Sequence, residues 1–498
     1  MIINGTGLNS VASAQKQTLS TNYIDFTSGA GNDWGQQYLP DLMESEAEVF
    51  GSRTISGFLS QVGAEEPMSA DQVVWTEQGR LHLSYKAHVS SANAGTGAGA
   101  YAGGSITIGN DIDGNPIGAN HGIRVGDTLL IAGTAGVIRA LVQGFGATND
   151  IVEVAPYGTT NLGSTFTAGA LGTGDDVTVL VYGSEFKKGT QGRSSANAPD
   201  FKSFSNKPII LKDYYEISGS DASQIGWVEV TGEDGQNGYY WYLKAEGDTR
   251  SRFSDYLEMA MLEAVDGAPA TDGVDDVLGL PAVGTAAALT GTQGLFDAIE
   301  TRGNITTGIT GFSAPGDLAD FDDILAEFDR QGAIEENMLF VNRSTSLAID
   351  DMLAAMNSYG ANGTSYGVFN NSEDMALNLG FSGFRRGSYD FYKSDFRYLN
   401  DKATRGSIND AYTAGAIRGV IIPAGVSTVY DQTLGKNLKR PFLHVRYRAS
   451  QMEDRKMKSF ITGSVGGNIT DSIDAMQVHF LSERCLVTQG ANNFMLLK

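Results

Sequence analysis

A block of distinct composition separates two extended segments of this 498-residue chain. In the first segment, 72–88, apolar residues such as Leu83 and Tyr85 alternate with polar ones, which predicts a half-exposed strand. A second extended segment, 201–211, follows more than a hundred residues later. The block between them, 90–192, begins and ends in stretches of Gly, Ala, Ser and Thr. Because inserted domains concentrate at loop tips, we predict a long two-stranded loop that carries a folded insert.

The insert contains short apolar runs at regular spacing, which is typical of a small β-barrel or β-sandwich. The predicted strands are 105–108, 128–132, 137–143, 151–154 and 177–182. Glycine favours turns and bulges between such strands, and this chain has 63 glycines but only 11 prolines. The acidic stretch 110–115 lacks the spacing of a calcium-binding loop, so we interpret it as a tight turn without a metal.

The clearest helical pattern lies over 239–266, directly after the second extended segment. Phe253, Leu257 and Met261 recur there at helical spacing and form one apolar stripe. Gly267 is expected to cap the end of this helix, because glycine adopts the left-handed backbone conformation that often terminates helices. The pattern therefore predicts one long amphipathic helix that packs against a partner surface.

An α/β passage follows a stretch, 266–316, which is rich in Gly, Ala and Thr and is predicted to be loop and short strand. Leu318 begins a second helix, which Gly332 can end. Ser344 can cap a third helix, with Leu347 on its buried face. The remaining predicted strands are 338–341, 389–399, 416–423, 440–449 and 478–487.

The chain carries 35 basic and 58 acidic residues, a formal net charge of -23. High-affinity DNA binding requires Lys and Arg that displace counterions from phosphates, so the charge argues against that class of protein. The exception is the basic segment 434–458, where eight basic and two acidic residues give a local net charge of +6. Three interpretations are open: a face that meets an acidic neighbouring subunit, a solvated strand and loop, and, third, a nucleic-acid contact.

No motif for catalysis, nucleotide binding or metal binding is present in the sequence. The five histidines include no pair at metal-ligand spacing. The single cysteine, Cys485, excludes an intrachain disulfide and is interpreted as a small apolar residue in a strand. We therefore predict no catalytic residue, no cofactor, no metal and no enzyme activity. The chain opens without a signal-peptide pattern, and no run reaches the roughly 18 apolar residues of a membrane span.

Several stretches, in their order along the chain, resemble the tailed-bacteriophage major capsid proteins of the Hong Kong 97-type fold. They are Trp75-Thr76-Glu77 for the rising strand of the extended loop, 207–211 through 216–219 for its returning strand and the entry to the peripheral domain, 248–265 for the spine helix, 339–344 for a strand-to-helix step in the axial domain, and 478–483 through Leu496 for the closing strand of the peripheral domain. The resemblance implies an α+β chain with an N-terminal arm, an extended β-hairpin loop, a peripheral domain with a long spine helix, and an axial α/β domain. It does not cover 90–192, which is expected to be a small all-β domain inserted in the extended loop.

The resemblance also implies a division of the chain and a set of contact residues. The domains are 1–62 for the arm, 63–90 and 192–212 for the extended loop, 91–191 for the insert, 213–266 and 478–498 for the peripheral domain, and 267–477 for the axial domain with some peripheral strands. The candidate inter-subunit contacts are Trp75, Glu77, Arg80, Lys436, Lys439, Arg440, Arg446 and Arg448.

The function implied by the resemblance is self-assembly, through hexamers and pentamers, into the icosahedral head of a tailed phage. Such a shell encloses double-stranded DNA without sequence-specific binding, and is expected in the virion after assembly in the host cytoplasm, away from membranes. Expected partners are portal and scaffold proteins, with a cement protein as a further candidate. The main alternative is a secreted or cell-surface β-rich binding or surface-layer protein. A carboxylate-based hydrolase comes third, and an encapsulin-type compartment would share the shell fold.

Overall fold

The computed structural model describes residues 64–79, 82–93, 103–134, 136–163, 171–193, 197, 201–220, 230–231, 237–238, 240–267, 291–306, 318–332, 334–356, 383–411, 415–424, 426–431, 436–465 and 472–498. These residues belong to two compact units. The discontinuous unit joins the chain up to Trp75 with the chain from Phe204 onward, and the barrel unit comprises Thr76–Ser203. The predicted arm, 1–62, and Arg80 lie outside the described residues.

The chain mixes α-helices with many short strands. In chain order the strands are β1 (Ala64–Met68), β2 (Val73–Gln78), β3 (Ser84–Ser91), β4 (Ser105–Asp111), β5 (Asp127–Gly133), β6 (Gly136–Phe145), β7 (Ile151–Pro156), β8 (Asp176–Ser184), β9 (Phe201–Asn206), β10 (Ile209–Ser218), β11 (Val230–Thr231), β12 (Asn237–Gly238), β13 (Asn304–Thr306), β14 (Glu336–Val341), β15 (Gly383–Arg386), β16 (Tyr389–Asp395), β17 (Gly419–Pro423), β18 (Val426–Asp431), β19 (Lys436–Pro441), β20 (Leu443–Arg448), β21 (Lys458–Gly463), β22 (Ala475–Thr488) and β23 (Met495–Leu497). The α-helices are α1 (Tyr240–Glu263), α2 (Leu295–Arg302), α3 (Leu318–Gln331), α4 (Arg343–Met356) and α5 (Arg405–Ala411).

The barrel unit contains a closed antiparallel barrel with the strand order β3-β4-β7-β6-β5-β8. Closure pairs both edges of every strand, so the sheet has no open edge. Alternating apolar residues such as Val89, Ile106, Leu129 and Val154 are fully buried inside it. The unit therefore has a hydrophobic core of its own.

Each of the five short strands predicted for the insert lies within one of the strands β4 to β8. The first barrel strand, β3, is different, because the sequence analysis placed it in the extended loop. Tyr85 and Ala87 do alternate with exposed neighbours as predicted, but they point into the barrel core. A half-exposed loop strand and a barrel strand have the same alternation, so the sequence pattern does not distinguish them.

Strands β2 and β9 form a separate two-stranded sheet, hereafter the ribbon. The chain leaves the discontinuous unit along β2 and returns to it along β9. The boundary between the two units falls within this ribbon, after Trp75 on one strand and before Phe204 on the other.

The first sheet of the discontinuous unit has the order β1-β20-β22-β10, and β21 also pairs with β22. Its longest ladder joins β10 to β22 in antiparallel register, from Ile209 opposite Arg484 to Ser218 opposite Ala475. Helix α1 packs on one face of this ladder, where Phe253 meets Phe480 with ring centroids 6.1 Å apart. The long helix predicted from its apolar stripe is therefore present and has its partner surface.

The second sheet has the order β13-β23-β17-β14-β16-β15 and is mixed parallel and antiparallel. Both of its faces are covered, as strands with near-continuous apolar runs require. Leu339 and Val341 pack on the side of α3 and α4. Phe340, on the opposite face of the same strand, packs on the side of α2. Alternate residues of one short strand thus enter two different cores.

Five details differ from the sequence analysis. Helix α1 ends at Glu263, before Gly267, and helix α2 occupies part of a stretch predicted to be loop. Asn342, two residues before the expected Ser344, caps α4 by accepting a hydrogen bond from the Thr345 N–H at 2.9 Å. Leu347 is exposed, because Ile349, Met352 and Leu353 form the buried face instead. Met495–Leu497, assigned to the peripheral domain, pair within the second sheet.

Candidate interaction surfaces

Arginines of the basic segment 434–458 form ion pairs within their own chain. Strand β1 lies parallel to β20, with Glu66 opposite Arg446 and Met68 opposite Arg448. Arg446 Nη2 is 2.8 Å from Glu66 Oε2. Arg448 pairs with Asp71, just beyond β1, and its Nη1 is also 3.5 Å from Glu483 Oε1. These contacts fasten an acidic strand onto a basic one.

The loop that leads from β20 to β21 extends the same charge pattern. Arg455 Nε lies 3.0 Å from Glu483 Oε2, and Lys456 pairs with Glu65 of β1. Arg484, which is buried in β22, lies 3.8 Å from the other Glu65 oxygen. Its guanidinium also donates to the Lys456 carbonyl at 2.8 Å, which fixes this loop against β22. The charges of this region are therefore balanced inside the chain.

The predicted inter-subunit contacts separate into two groups. Arg446 and Arg448 hold β1 against β20, so the structure gives them an intrachain role. The backbone of Lys436, Lys439 and Arg440 forms β19, which pairs with β18 in a two-stranded hairpin. The role of these three residues, like that of Arg80, stays a prediction.

Trp75 lies at the root of the ribbon and is only 7% exposed. Its ring centroid is 6.3 Å from that of Phe204 on the returning strand. The Arg302 guanidinium carbon is 4.4 Å from the Phe204 ring centroid and 5.6 Å from that of Trp75. A guanidinium over aromatic faces is attracted by their quadrupoles. Trp75 is therefore packed within its own chain, while Glu77 lies further along β2 and is partly buried.

Asn206, at the end of β9, fixes the root of the ribbon through its side-chain amide. The Nδ2 group donates to the carbonyls of Gln293 at 2.9 Å and Leu486 at 2.7 Å. The Oδ1 atom accepts from the Thr292 hydroxyl at 3.0 Å and from the backbone N–H groups of Gln293 and Lys207, both at 2.9 Å. One buried side chain thus joins β9 to β22 and to the segment before α2. The sequence analysis missed Asn206, because a lone asparagine after a strand carries no signal of these partners.

A row of aromatic rings is exposed on the face of the first sheet opposite α1. Tyr214, His479 and Phe460 are cross-strand neighbours on β10, β22 and β21. The His479 ring stacks on both others, with centroid distances of 5.7 Å to Tyr214 and 4.9 Å to Phe460. Tyr214 is 54% exposed and Phe460 is 41% exposed. Large exposed apolar groups that touch one another are typical of protein interaction surfaces.

The imidazole at the centre of this aromatic row is held in a fixed orientation. His479 Nε2 lies 2.8 Å from Thr462 Oγ1. Burial lowers the pKa of His479, and this effect exceeds the opposing attraction of the Glu216 carboxylate. The ring is therefore neutral near pH 7 and presents an uncharged aromatic surface together with its neighbours.

Possible reaction centres are few in the described part of the chain. No group of three or more His, Cys, Asp or Glu residues there has metal-binding geometry. Cys485 is buried in β22, and burial raises the pKa of its thiol to about 12. Asp111 begins the turn interpreted above and accepts hydrogen bonds from the backbone and side chain of Asn115 at 2.7 and 2.9 Å. Among the helices described, none is long and apolar enough to cross a membrane.

Comparison with known proteins gives structural neighbours but no sequence relatives. No protein-family model and no curated protein matches the chain. A structure of Microbacterium phage Oxtober96 is 9% identical, covers 94% of this chain and 97% of its own, and has a TM-score of 0.35. One of Mycobacterium phage Adephagia is 10% identical, with 92% and 94% covered and a TM-score of 0.33. The asymmetric unit of the bacteriophage PhiM1 mature capsid is 8% identical, with 64% and 78% covered and a TM-score of 0.33.

Proposed function

We propose that this chain is the major capsid protein of a tailed phage, which self-assembles into the icosahedral head shell and encloses double-stranded DNA. The proposal is of a structural, non-catalytic protein. It rests on the resemblance of the sequence to the tailed-phage major capsid proteins, and on how the strands and helix in the resembling stretches pack together.

One observation carries the proposal: the ladder between β10 and β22 beneath α1, with the ribbon leading directly into β10. The resemblance requires a returning loop strand to meet the closing strand of the chain under a long helix. Residues 209–218 and 475–488 do meet in this way, although they are far apart in sequence. The 24-residue length of α1 matches the expected spine helix. A mixed sheet covered on both faces corresponds to the expected axial domain.

Assembly requires surfaces that other copies can contact. The aromatic row of Tyr214, His479 and Phe460 is the best-supported one, because it is apolar, exposed and rigidly stacked. The hairpin of β18 and β19 is a second candidate, since it carries three basic residues in an otherwise acidic chain. Charged groups at an interface increase the specificity of subunit pairing more than its affinity.

A shell can enclose DNA without binding it tightly. A net charge of -23 weakens adhesion between the protein and phosphate groups. Portal, scaffold and cement proteins are the partners that a head shell would use, and the virion is the corresponding location. Among the described residues, no feature specifically favours the secreted or surface-layer alternative.

Electron microscopy of the purified full-length chain tests the proposal. We expect hexamers, pentamers or closed shells in negative stain, with a matching high mass by light scattering. Phe460→Ser should greatly reduce shell yield, because it removes one exposed ring from the aromatic row. Tyr182→Ser, which alters an exposed aromatic residue of the barrel, is the matched control and should leave shell yield unchanged. A chain that stays monomeric under all assembly conditions would rule out the capsid function.

A further inference from the structure

The aromatic row of Tyr214, His479 and Phe460 lies between two opposite charges on the same face of the first sheet. Alternate side chains of a strand point to the same face, so Lys212 and Glu216 flank Tyr214 on the side of the sheet opposite α1. Lys212 is exposed and Glu216 is half-buried. The end of β10 before the row is therefore positive on this face, and the end after the row is negative.

These two charges do not neutralise each other within one chain. A strand rises about 3.3 Å per residue, so Lys212 and Glu216 lie about 13 Å apart along β10, with Tyr214 halfway between them. Lys212 forms no ion pair with any residue in the described parts of the chain. Glu216 accepts a hydrogen bond from the Gln477 amide at 2.8 Å, which leaves the charge of its carboxylate uncompensated. Both charges are thus available to a partner.

The equal spacing of the two charges about the row makes this face complementary to itself. A two-fold axis that runs along the row, across the strands, exchanges the positions on its two sides. Lys212 of one copy then lies opposite Glu216 of the other, and the same pair forms a second time because the contact is isologous. Each ring of the row meets the same ring of the second copy.

The other two-fold axis in the plane of the contact pairs like charges. It runs along β22 and exchanges β10 with β21. Lys212 and Lys458 both lie opposite Leu481, so this axis would place Lys212 of one copy against Lys458 of the other. Like charges that face one another disfavour association. The axis along the row avoids this, because it places Lys458 opposite the uncharged Thr462.

We propose that two copies of this chain associate face to face through the aromatic row, with Lys212 of each copy paired with Glu216 of the other. Packed sheets lie about 10 Å apart, a gap that side chains from both faces fill. His479 is neutral near pH 7, so the two central imidazoles meet without repulsion. The proposed function, on which this inference rests, supplies the second copy.

The contact is small for a dimer interface. Its footprint is about 10 Å across three strands and about 13 Å along them, whereas a stable dimer buries roughly 800 Å² per partner. We therefore expect weak association of two isolated chains through this face. Its contribution becomes measurable where other contacts hold many copies together, so the test uses assembled particles.

Zero-length carbodiimide cross-linking of the assembled full-length chain tests the pairing directly. The reagent joins only an amine and a carboxylate in contact, so Lys212 and Glu216 of one chain, about 13 Å apart, do not react with each other. In particles assembled from isotopically labelled and unlabelled chains, we expect a cross-link from Lys212 of one kind to Glu216 of the other. Particles without this cross-link would overturn the inference alone. A chain that never assembles would overturn the proposed function as well.

Charge reversal gives an independent test. Lys212→Glu and Glu216→Lys should each lower the yield of particles at least about tenfold, because each variant places two pairs of like charges together. The double variant Lys212→Glu/Glu216→Lys should restore the yield. An equal mixture of the two single variants should recover part of it, since unlike copies then attract.

The matched control is Lys86→Glu, which reverses an exposed strand lysine of the barrel and should leave the yield unchanged. All four variants should keep the melting temperature of the unmodified chain within a few degrees, since exposed charges contribute little to stability. Unchanged yield in both single variants would overturn the inference, as would a double variant that assembles no better than either of them.

Discussion

A buried ion pair fixes the position of one helix on the second sheet. Lys393 and Asp350 form an ion pair between β16 and α4, and their side chains are only 6% and 8% exposed. Lys393 Nζ also donates to the Ser346 carbonyl at 3.2 Å. Such a pair holds a helix at one position on a sheet, because either charge alone in the core is costly.

Lys393→Met should therefore lower the free energy of unfolding by about 3–5 kcal/mol, because Asp350 would remain buried without the opposite charge of Lys393. The double variant Lys393→Met/Asp350→Leu should recover most of this loss. Arg385→Met is the matched control, since it breaks the exposed pair with Asp390 at 3.6 Å and should cost at most about 0.5 kcal/mol. Urea denaturation measures all three variants. A double variant no more stable than Lys393→Met would contradict this account.

Cys485 is predicted to be chemically inert while the chain is folded. Burial raises the pKa of its thiol from 9.0 to about 12. At pH 9 the folded thiol is therefore about one part in a thousand ionised, against about half in the unfolded chain. Iodoacetamide should label Cys485 only after denaturation, as followed by mass spectrometry. Equal labelling rates before and after denaturation would show that the strand opens.

The raised pKa of Cys485 also determines how the free energy of unfolding changes with pH. Well below pH 9 the thiol is protonated in both states and contributes nothing to the pH dependence. Between pH 9 and 12 only the unfolded state loses the proton, so stability falls by up to about 1.4 kcal/mol per pH unit from this group. Comparing the chain with Cys485→Ala over this range isolates that slope.

The ribbon has only two strands, but many side-chain contacts hold it at its root. Asn206 makes five hydrogen bonds there, and Trp75, Phe204 and Arg302 stack beside it. A two-stranded sheet alone is marginally stable in water. The pairing of β2 with β9 is therefore supported by the contacts of its root.

Asn206→Ala should cost about 2–4 kcal/mol, because it leaves several buried polar groups unpaired at once. Asn206→Asp should be no better, since it would place a carboxylate oxygen against the carbonyls of Gln293 and Leu486. Hydrogen exchange should show faster exchange across β9 in both variants. Asn304→Ala, which removes a single side-chain bond to the Asn492 carbonyl, is the control and should show a smaller loss of stability.

The elements differ in how far the sequence could predict them. Helices α1 and α3 follow from apolar periodicity, because each buries one continuous stripe. Helix α2 was missed, since eight residues in a Gly- and Ala-rich stretch give too short a pattern and its burial depends on distant strands. The ion pairs of β1 could not be predicted at all. Asp71 and Arg448 are 377 positions apart, so the sequence shows both charges but not their pairing.

At the scale of the whole molecule, the chain is two units with separate cores. The barrel core draws only on residues between Leu83 and Val181, and the other three cores draw on none of them. Two chain crossings connect the units, both within the ribbon. The composition of 90–192 predicts a separate domain there, but it does not indicate that β3 belongs to the barrel unit.

Replacing residues 81–198 by a short Gly/Ser linker should remove the barrel without unfolding the rest. Calorimetry should lose one transition and leave the other within a few degrees of its original temperature, because separate cores unfold independently. If the proposed function holds, the shortened chain should still form shells. Complete unfolding of the shortened chain would show that the two units stabilise each other.

Strand β22 lies between β20 and β10 in the first sheet of the discontinuous unit, and β23 lies between β13 and β17 in the second. Both strands are among the last residues of this sequence to be synthesised. On the ribosome, the first sheet cannot be completed before residue 488 has been made and the second before residue 497, whereas the barrel unit is complete once residue 203 has emerged. Nascent chains crowded on one messenger RNA would therefore carry folded barrels beside incomplete sheets. If the proposed function holds, these chains could not associate through the aromatic row until translation reaches β22, so the order of synthesis would delay assembly.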